Sequence, residues 1–447
     1  MIKKILLLSV VISQLTISCT NDEPKTPESE KSLDEQIAEI VKQPYSTLTP
    51  SEQKVKLEAE ANEMLVQMDK SKSSGAIEAL QNLARLLDVS SVDVFSGKND
   101  NSVEDIINTA GVYGIYTWNA LKNTWTKTTS STELKFIFPA KASLTANNAV
   151  FSTKGTASDV KVKIQDSYNW QTDTEVNDYI FLPTAADAVL TIDNVSAATF
   201  TQTAKYANGK EVPNEFAYKM TLNDGYAWEM SGAKATENTS KATFTYNGKN
   251  LVSFNAGSST SIDKLIEDDN LTQYRGKANG LVQIMDNFVI VANMDLATEA
   301  TDELALEETV TYPSYPNYSD PNANFKKYYT DVNTYYKKHS EGGVANFNKN
   351  IKLILVSKKD GTKIADVIQH SEKYDEYVFN LPVWNTNYSY WDWVNNGSGE
   401  SFTEQYYEEV FYLKFNDNTE VAMSTYFSEG FEKLETKFED FIKAFDK

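Results

Sequence analysis

Residues 215–256 read EFAYKMTLNDGYAWEMSGAKATENTSKATFTYNGKNLVSFNA. Apolar and aromatic residues alternate here with Lys, Glu, Ser and Thr, and the alternation breaks at Asp224-Gly225 and Asn247-Gly248. A period of two marks strands with one buried face, and Asp-Gly or Asn-Gly supplies the positive φ angles of tight hairpins. Asn208-Gly209 is a third turn of this kind. Upstream, Val112 to Trp118 reads as a strand whose hairpin partner begins at Trp125, and Leu134 to Phe138 as another, closed by Pro139. Hairpins in succession make an antiparallel meander, not a parallel βαβ sheet.

The period changes on either side. From Leu33 to Val89 the spacing is helical. Thr49-Pro50-Ser51-Glu52 forms a capping box with proline at the first helical position, and Leu57, Ala61, Met64, Leu65 and Met68 follow on one face. Ile77, Leu80, Leu83, Ala84 and Leu87 mark a second amphipathic helix. A short helix around Ile262 to Ile266 interrupts the meander. Downstream, Asp320-Pro321 caps a helix bearing Phe325, Tyr328, Tyr329, Val332, Tyr335 and Tyr336. Hairpins turn at Asp360-Gly361 and near Asn416-Asp417-Asn418, a strand runs through Tyr377 to Leu381, and a closing helix carries Phe431, Leu434, Phe438, Phe441, Ile442 and Phe445. The predicted fold class is α+β: large antiparallel β-meander sheets, N-terminal helices, and helices packed on the sheets. The predicted organisation is a signal peptide at 1–18, a flexible tether at 19–33, a helical region at 34–104, the meander at 105–300, a linker at 301–320 and an α+β region at 321–447.

The first residues concern place. Lys3 and Lys4 precede an apolar run from Ile5 to Ile12, too short to span a bilayer, and Ser18 precedes the single cysteine, Cys19. Leu15-Thr16-Ile17-Ser18-Cys19 resembles the lipobox of bacterial lipoproteins. That resemblance implies acylation of the Cys19 thiol and removal of the signal. Thr16 stands where leucine is commonest in the family. The acidic residues in Thr20-Asn21-Asp22-Glu23-Pro24 look like the surface-export signal of Bacteroidetes lipoproteins, beside the plainer reading of an acidic linker. The implied location is the cell envelope, anchored to the outer membrane, and the export-signal resemblance implies exposure at the cell surface.

Composition bounds the partners. Lys and Arg total 42 against 63 Asp and Glu, for a formal charge of −21, and only Arg85 and Arg275 are arginine. Phosphate backbones call for clustered arginine or lysine, so nucleic acid is excluded as a partner. With one cysteine there are no internal disulfides, so stability rests on core burial, for which 25 tyrosines, 21 phenylalanines and 7 tryptophans supply the area.

Chemistry is sparse. A Ser-His-Asp hydrolase needs a histidine base; only His339 and His370 exist, and no Gly-x-Ser-x-Gly elbow accompanies them. No cofactor is implied, and ligands for a catalytic zinc are lacking. Ser51-x-x-Lys54 matches a penicillin-recognising pattern without its companion motifs, and the capping box already accounts for Ser51. Gly397-Ser398-Gly399 lacks the lysine of a phosphate loop and reads as a loop; Glu267-Asp268-Asp269-Asn270 reads as a solvated turn rather than a calcium site. One cluster stands out. Trp384, Tyr388, Tyr390, Trp391 and Trp393 fall within ten residues, interleaved with Asn385, Asn387, Asp392, Asn395 and Asn396. Flat rings beside amides and carboxylates suit sugar rings, which stack on one and hydrogen-bond to the other. The plainer alternative is that these rings pin a long loop to the sheet.

Three functions follow from this reading. The first is a non-enzymatic envelope protein binding a glycan, a polymer or an envelope partner through the five aromatic residues. The second is a carrier or sensor of apolar ligands, because a sheet wrapped over helices on a lipid anchor is similar in outline to periplasmic lipoprotein carriers. The third is a hydrolase using a carboxylate pair, which 63 acidic residues leave open.

Overall fold

The computed structural model describes residues 32–71, 73–90, 92, 110–207, 209–267, 274–393 and 399–427. The signal, Cys19, most of the tether, the Asp268 to Asn270 turn, Asn395 to Ser398 and the expected helix from Phe431 to Phe445 lie outside the described residues.

Among the described residues one sheet of 16 strands dominates. It begins with β1 (Gly114–Asn119), β2 (Thr124–Thr128) and β3 (Leu134–Phe138). The long hairpin of β4 (Ala149–Asn169) and β5 (Thr174–Ile192) follows. Next come β6 (Val195–Lys205), β7 (Glu215–Leu222), β8 (Tyr226–Ala233), β9 (Asn238–Tyr246) and β10 (Lys249–Ser258). β11 (Lys277–Ile284), β12 (Phe288–Asp295), β13 (Ile351–Ser357), β14 (Thr362–Asn380), β17 (Ser401–Lys414) and β18 (Glu420–Ala422) complete it. Consecutive strands from β3 to β14 are antiparallel neighbours, so the meander is as expected, and β14 then pairs with β17. One pairing departs from it: β1 lies parallel to β3, because β2 folds back to the sheet edge and leaves β1 beside β3.

Register explains which face is buried. Ala188, Phe200, Met220, Trp228, Phe244, Val252, Ile284 and Phe288 stand directly opposite one another across β5 to β12. The residues between them, such as Thr201, Lys219, Glu229 and Thr243, form the other face, where Lys219 and Glu229 pair at 2.8 Å. The hydrophobic face is covered by α2 (Pro50–Ser71) and α3 (Gly75–Val89), whose Met64, Met68, Leu83 and Leu86 pack with Phe136, Phe138, Phe151 and Leu190. Each such fully buried side chain stabilises the fold by roughly 1.5–3 kcal/mol. The Thr49 capping box forms as read, with the Glu52 amide 3.3 Å from Thr49 Oγ1 and the Thr49 amide 2.8 Å from Glu52 Oε2.

Two short helices complete the N-terminal half. α1 (Leu33–Val41) lies elsewhere on the sheet, with Ile37 among Leu281, Val289, Val291 and Val356. α4 (Ile262–Glu267) sits between β10 and β11, where a short helix is expected. α2 crosses a row of hairpin turns. Lys56 meets Asp360 at 2.8 Å, Glu60 accepts from Asn287 and Lys359, and Tyr226 donates to the Gln67 carbonyl.

Three expectations need correction. The stretch 301–320 is not a linker throughout. α5 (Leu296–Thr309) occupies its first part, and Tyr312, Tyr315 and Tyr318 in the remainder pack onto α6 (Phe325–Asn350). A Cβ on Gly342 of α6 would come within 2.3 Å of Leu306, so the glycine allows the two helices to close together. α6 starts at Phe325, capped by Asn324, whose Oδ1 accepts from the Lys327 amide at 2.8 Å; Asp320 instead caps a turn at Asn322. The aromatic segment near 390 is a small hairpin, β15 (Val383–Asn385) with β16 (Tyr390–Asp392), rather than a loop. At the end of the described chain, α7 (Met423–Tyr426) follows β18.

Candidate functional site

α6 lies against β14 and β17, and its first half carries a dense aromatic layer. Phe325, Tyr328 and Val332 are buried, at the helical spacing visible in the sequence. Tyr312, Tyr315 and Tyr318 recur every third residue, with Pro313 and Pro316 following the first two, the period of an extended polyproline helix, so all three can meet one helix face. Tyr312 packs edge-on to Tyr335 at 5.0 Å, Tyr315 to Tyr328 at 5.0 Å, and Tyr318 lies 5.4 Å from Phe325.

The β15–β16 hairpin docks on this layer. The Trp391 amide donates to the Tyr318 carbonyl at 3.0 Å, its Nε1 to the Asp320 carbonyl at 2.8 Å, and its ring sits 5.2 Å from Phe325. Trp384 backs Trp391 at 6.0 Å. Trp393 donates from Nε1 to the Tyr318 hydroxyl and lies 5.9 Å from Phe379 and 6.2 Å from Tyr329. At the neck of the hairpin the Leu381 amide donates to the Glu400 carbonyl at 2.9 Å.

The five predicted residues therefore separate. Trp391, backed by Trp384, holds the hairpin down onto Phe325 and the 318–320 segment rather than onto the sheet. Trp393 is 42% exposed, Tyr388 71% and Tyr390 38%, with Tyr388 and Tyr390 adjacent at 6.1 Å. Sequence reasoning missed two members of the surface. Phe379 forms the floor under Trp393, and Tyr377 stacks on Phe379 at 5.5 Å and 21° while 60% exposed. Their signal, two aromatic residues two apart on one strand, was present in Tyr377-Val378-Phe379.

Burial raises the phenols of this layer: Tyr315, Tyr328 and Tyr336 all lie above the ordinary tyrosine value, first through desolvation and then through bonds to neighbouring hydroxyls. They stay neutral donors and acceptors at physiological pH. The Tyr315 and Tyr318 hydroxyls share a proton contact of 2.7 Å.

Other chemical groups lie elsewhere. His370 Nε2 is 2.7 Å from Glu420, whose carboxyl Lys414 and then His370 hold below its usual range. The Glu299 carboxyl on α5 is raised, chiefly by desolvation and then by Glu303, while Asp302 is lowered by Lys349. Lys349 is 24 residues from Phe325 along α6, about 36 Å of helix, so these acids do not face the aromatic hairpin. Between α2, α3 and the sheet, Leu83, Leu86, Phe136 and Phe151 fill the space in which a carrier would hold its ligand. A pocket of about 560 Å³ opens beside them, bounded by Lys70, Ser73, Asn223, Asp224, Tyr226 and Tyr246. Among the described residues no group of three or more His, Cys, Asp or Glu is placed to hold a metal, and no helix is long and apolar enough to cross a membrane.

No protein-family description matches the chain, and neither a curated protein nor a solved structure is similar to it.

Proposed function

We propose that this chain is a lipid-anchored protein of the bacterial cell envelope, attached through Cys19 to the outer membrane, that binds a glycan without chemically altering it. Trp393 carries the reading: its ring stays 42% exposed while Phe379, Tyr329 and the Tyr318 hydroxyl hold it in place. A ring ordered before binding loses little entropy when a sugar stacks on it. Elsewhere on the same hairpin, exposed Asn387 in its turn and the Asp392 carboxylate, which accepts from Asn385 at 3.3 Å, supply hydrogen-bonding groups.

The test compares Trp393→Ala with Tyr377→Ala in affinity electrophoresis against envelope polysaccharides. Both variants should lose retardation about tenfold or more; Tyr377→Ala should keep the parent's urea unfolding midpoint, whereas Trp393→Ala, which also loses the bond to the Tyr318 hydroxyl, should cost about 1 kcal/mol and still fold. Trp391→Ala is the contrast, losing ~2 kcal/mol of stability with its ring contact and indole bond. Retention of binding by both Trp393→Ala and Tyr377→Ala would rule this surface out. Fractionation of a Cys19→Ser variant tests the anchor: release from membranes is expected, and retention would refute it.

A further inference from the structure

The β4–β5 hairpin extends beyond its neighbours. β3 pairs with β4 only from Ala149 to Thr153, and β6 pairs with β5 only from Ala185 to Ile192. Beyond Thr156 and Ala185 the two strands bond to each other, apart from one bridge between Ala110 and Phe181. The 14 residue steps from Thr156 to Trp170 give this ribbon a reach of about 40 Å.

The two strands meet in a short turn that Asp173 closes. Asn169-Trp170-Gln171-Thr172 carries no charge. The turn satisfies its own backbone: the Gln171 amide donates to Asn169 Oδ1 at 2.9 Å and the Thr172 amide to the Asn169 carbonyl at 3.3 Å. Trp170 is 87% exposed, held edge-on at 4.6 Å by Tyr168, which itself donates to Asp173. Lower on the ribbon, Lys163 and Glu175 neutralise each other at 2.6 Å.

Strand polarity places this tip relative to the anchor. β4 and β10 run in the same direction, six antiparallel steps apart, so the C-terminal ends of both lie at one rim of the sheet. α1 begins at that rim. Leu33 lies 3.6 Å from where a Cβ on Gly257, the penultimate residue of β10, would stand, and Asp34 accepts from Asn279 near the start of β11. From Cys19 to Ser32 there are 13 residue steps, which span at most about 45 Å. The described chain thus starts at the rim from which the ribbon extends, and the steps back to Cys19 allow a span comparable to the ribbon's.

We propose that Trp170 seats in the interfacial layer of a zwitterionic phospholipid bilayer, orienting the rim of the sheet toward the membrane that holds Cys19. Indole rings favour the water–lipid boundary, and the net charge disfavours an anionic surface. The inference rests on the proposed acylation of Cys19.

The only cysteine makes the test independent of natural acylation. The chain beginning at Cys19 is coupled through that thiol to maleimide-bearing lipid in phosphatidylcholine vesicles, and tryptophan emission is recorded with brominated acyl chains. Quenching should appear in the parent and be lost in Trp170→Ala, whose exposed turn leaves folding intact. The same fractional quenching in the two proteins, whether present in both or absent from both, would overturn the seating. The mass of protein purified from native membranes separately reports acylation, so a missing acyl group sinks the anchor while the vesicle result still decides the tip.

Discussion

Gly399 shows how a single residue can hold a site together. A Cβ there would stand 1.7 Å from the Leu381 carbonyl oxygen, at the neck where Leu381 and Glu400 are hydrogen-bonded. Backbone cannot yield as a flexible side chain can, so the only accommodation is to part the neck. Gly399→Ala is therefore expected to cost ~2–3 kcal/mol in urea unfolding and to raise hydrogen exchange at the Leu381 amide. An unchanged Leu381 amide would show that the neck does not depend on this approach. Gly399 looked like part of an ordinary glycine loop because the atom it avoids belongs to a residue 18 positions earlier. The two classes of tryptophan are just as hidden: Trp391 and Trp393 are two residues apart, yet one is committed to Asp320 and the other keeps an exposed face.

At the scale of elements, α6 does more than cover the sheet. Asn348 donates from Nδ2 to the Gln369 carbonyl at 2.9 Å, and its Oδ1 accepts from the Gln369 amide at 2.9 Å. Asn333 makes the same pair of bonds to the Thr403 carbonyl and the Gln405 amide, at 2.8 and 2.9 Å. Each side-chain amide takes the place of a neighbouring strand, satisfying backbone groups of β14 and β17 that would otherwise lack a partner. Asn348→Ala should destabilise the chain by ~1–3 kcal/mol and speed exchange of the Gln369 amide at least tenfold. Protection that persists at Gln369 would mean water replaces the amide at no cost. Residues 301–309 of α5 read as linker from sequence for a related reason. Its sequence has no apolar stripe, and only Ala300 is buried, so its helix depends on Leu306 against Gly342 and on Asp302 bonded to Lys349 at 2.7 Å.

For the whole molecule, charge sets the response to pH. Lys234 lowers Asp263, Lys349 lowers Asp302 and Lys56 lowers Asp360. The folded chain then binds fewer protons at these sites than the unfolded chain, so their stabilisation is complete above about pH 4 and is lost as pH falls through the folded values. Glu299 acts in the opposite sense. Its folded value is raised above 4.5, so its contribution declines as pH rises through that value. Glu299→Gln should accordingly raise stability at pH 7 by ~0.5 kcal/mol, after solvent screening, and leave it nearly unchanged at pH 3.5. Equal effects at both pH values in denaturant titrations would exclude this origin.

Local rules decided what the sequence could determine by itself. Period-two alternation and the turns at Asp224-Gly225 and Asn247-Gly248 specify hairpins from contacts a few residues apart, and the Thr49 capping box needs only its own four residues. The helical spacing of Leu57 to Met68 likewise marks its buried face in advance. Tertiary structure decided the rest. The parallel placement of β1 beside β3, the helix at 296–309 and the division of the aromatic cluster into holding and exposed rings all depend on distant partners. Trp391 reaches Asp320 across 71 residues and Trp393 reaches Tyr318 across 75. Such contacts form only once the chain has closed on itself, and no local pattern encodes which of several similar rings will meet them.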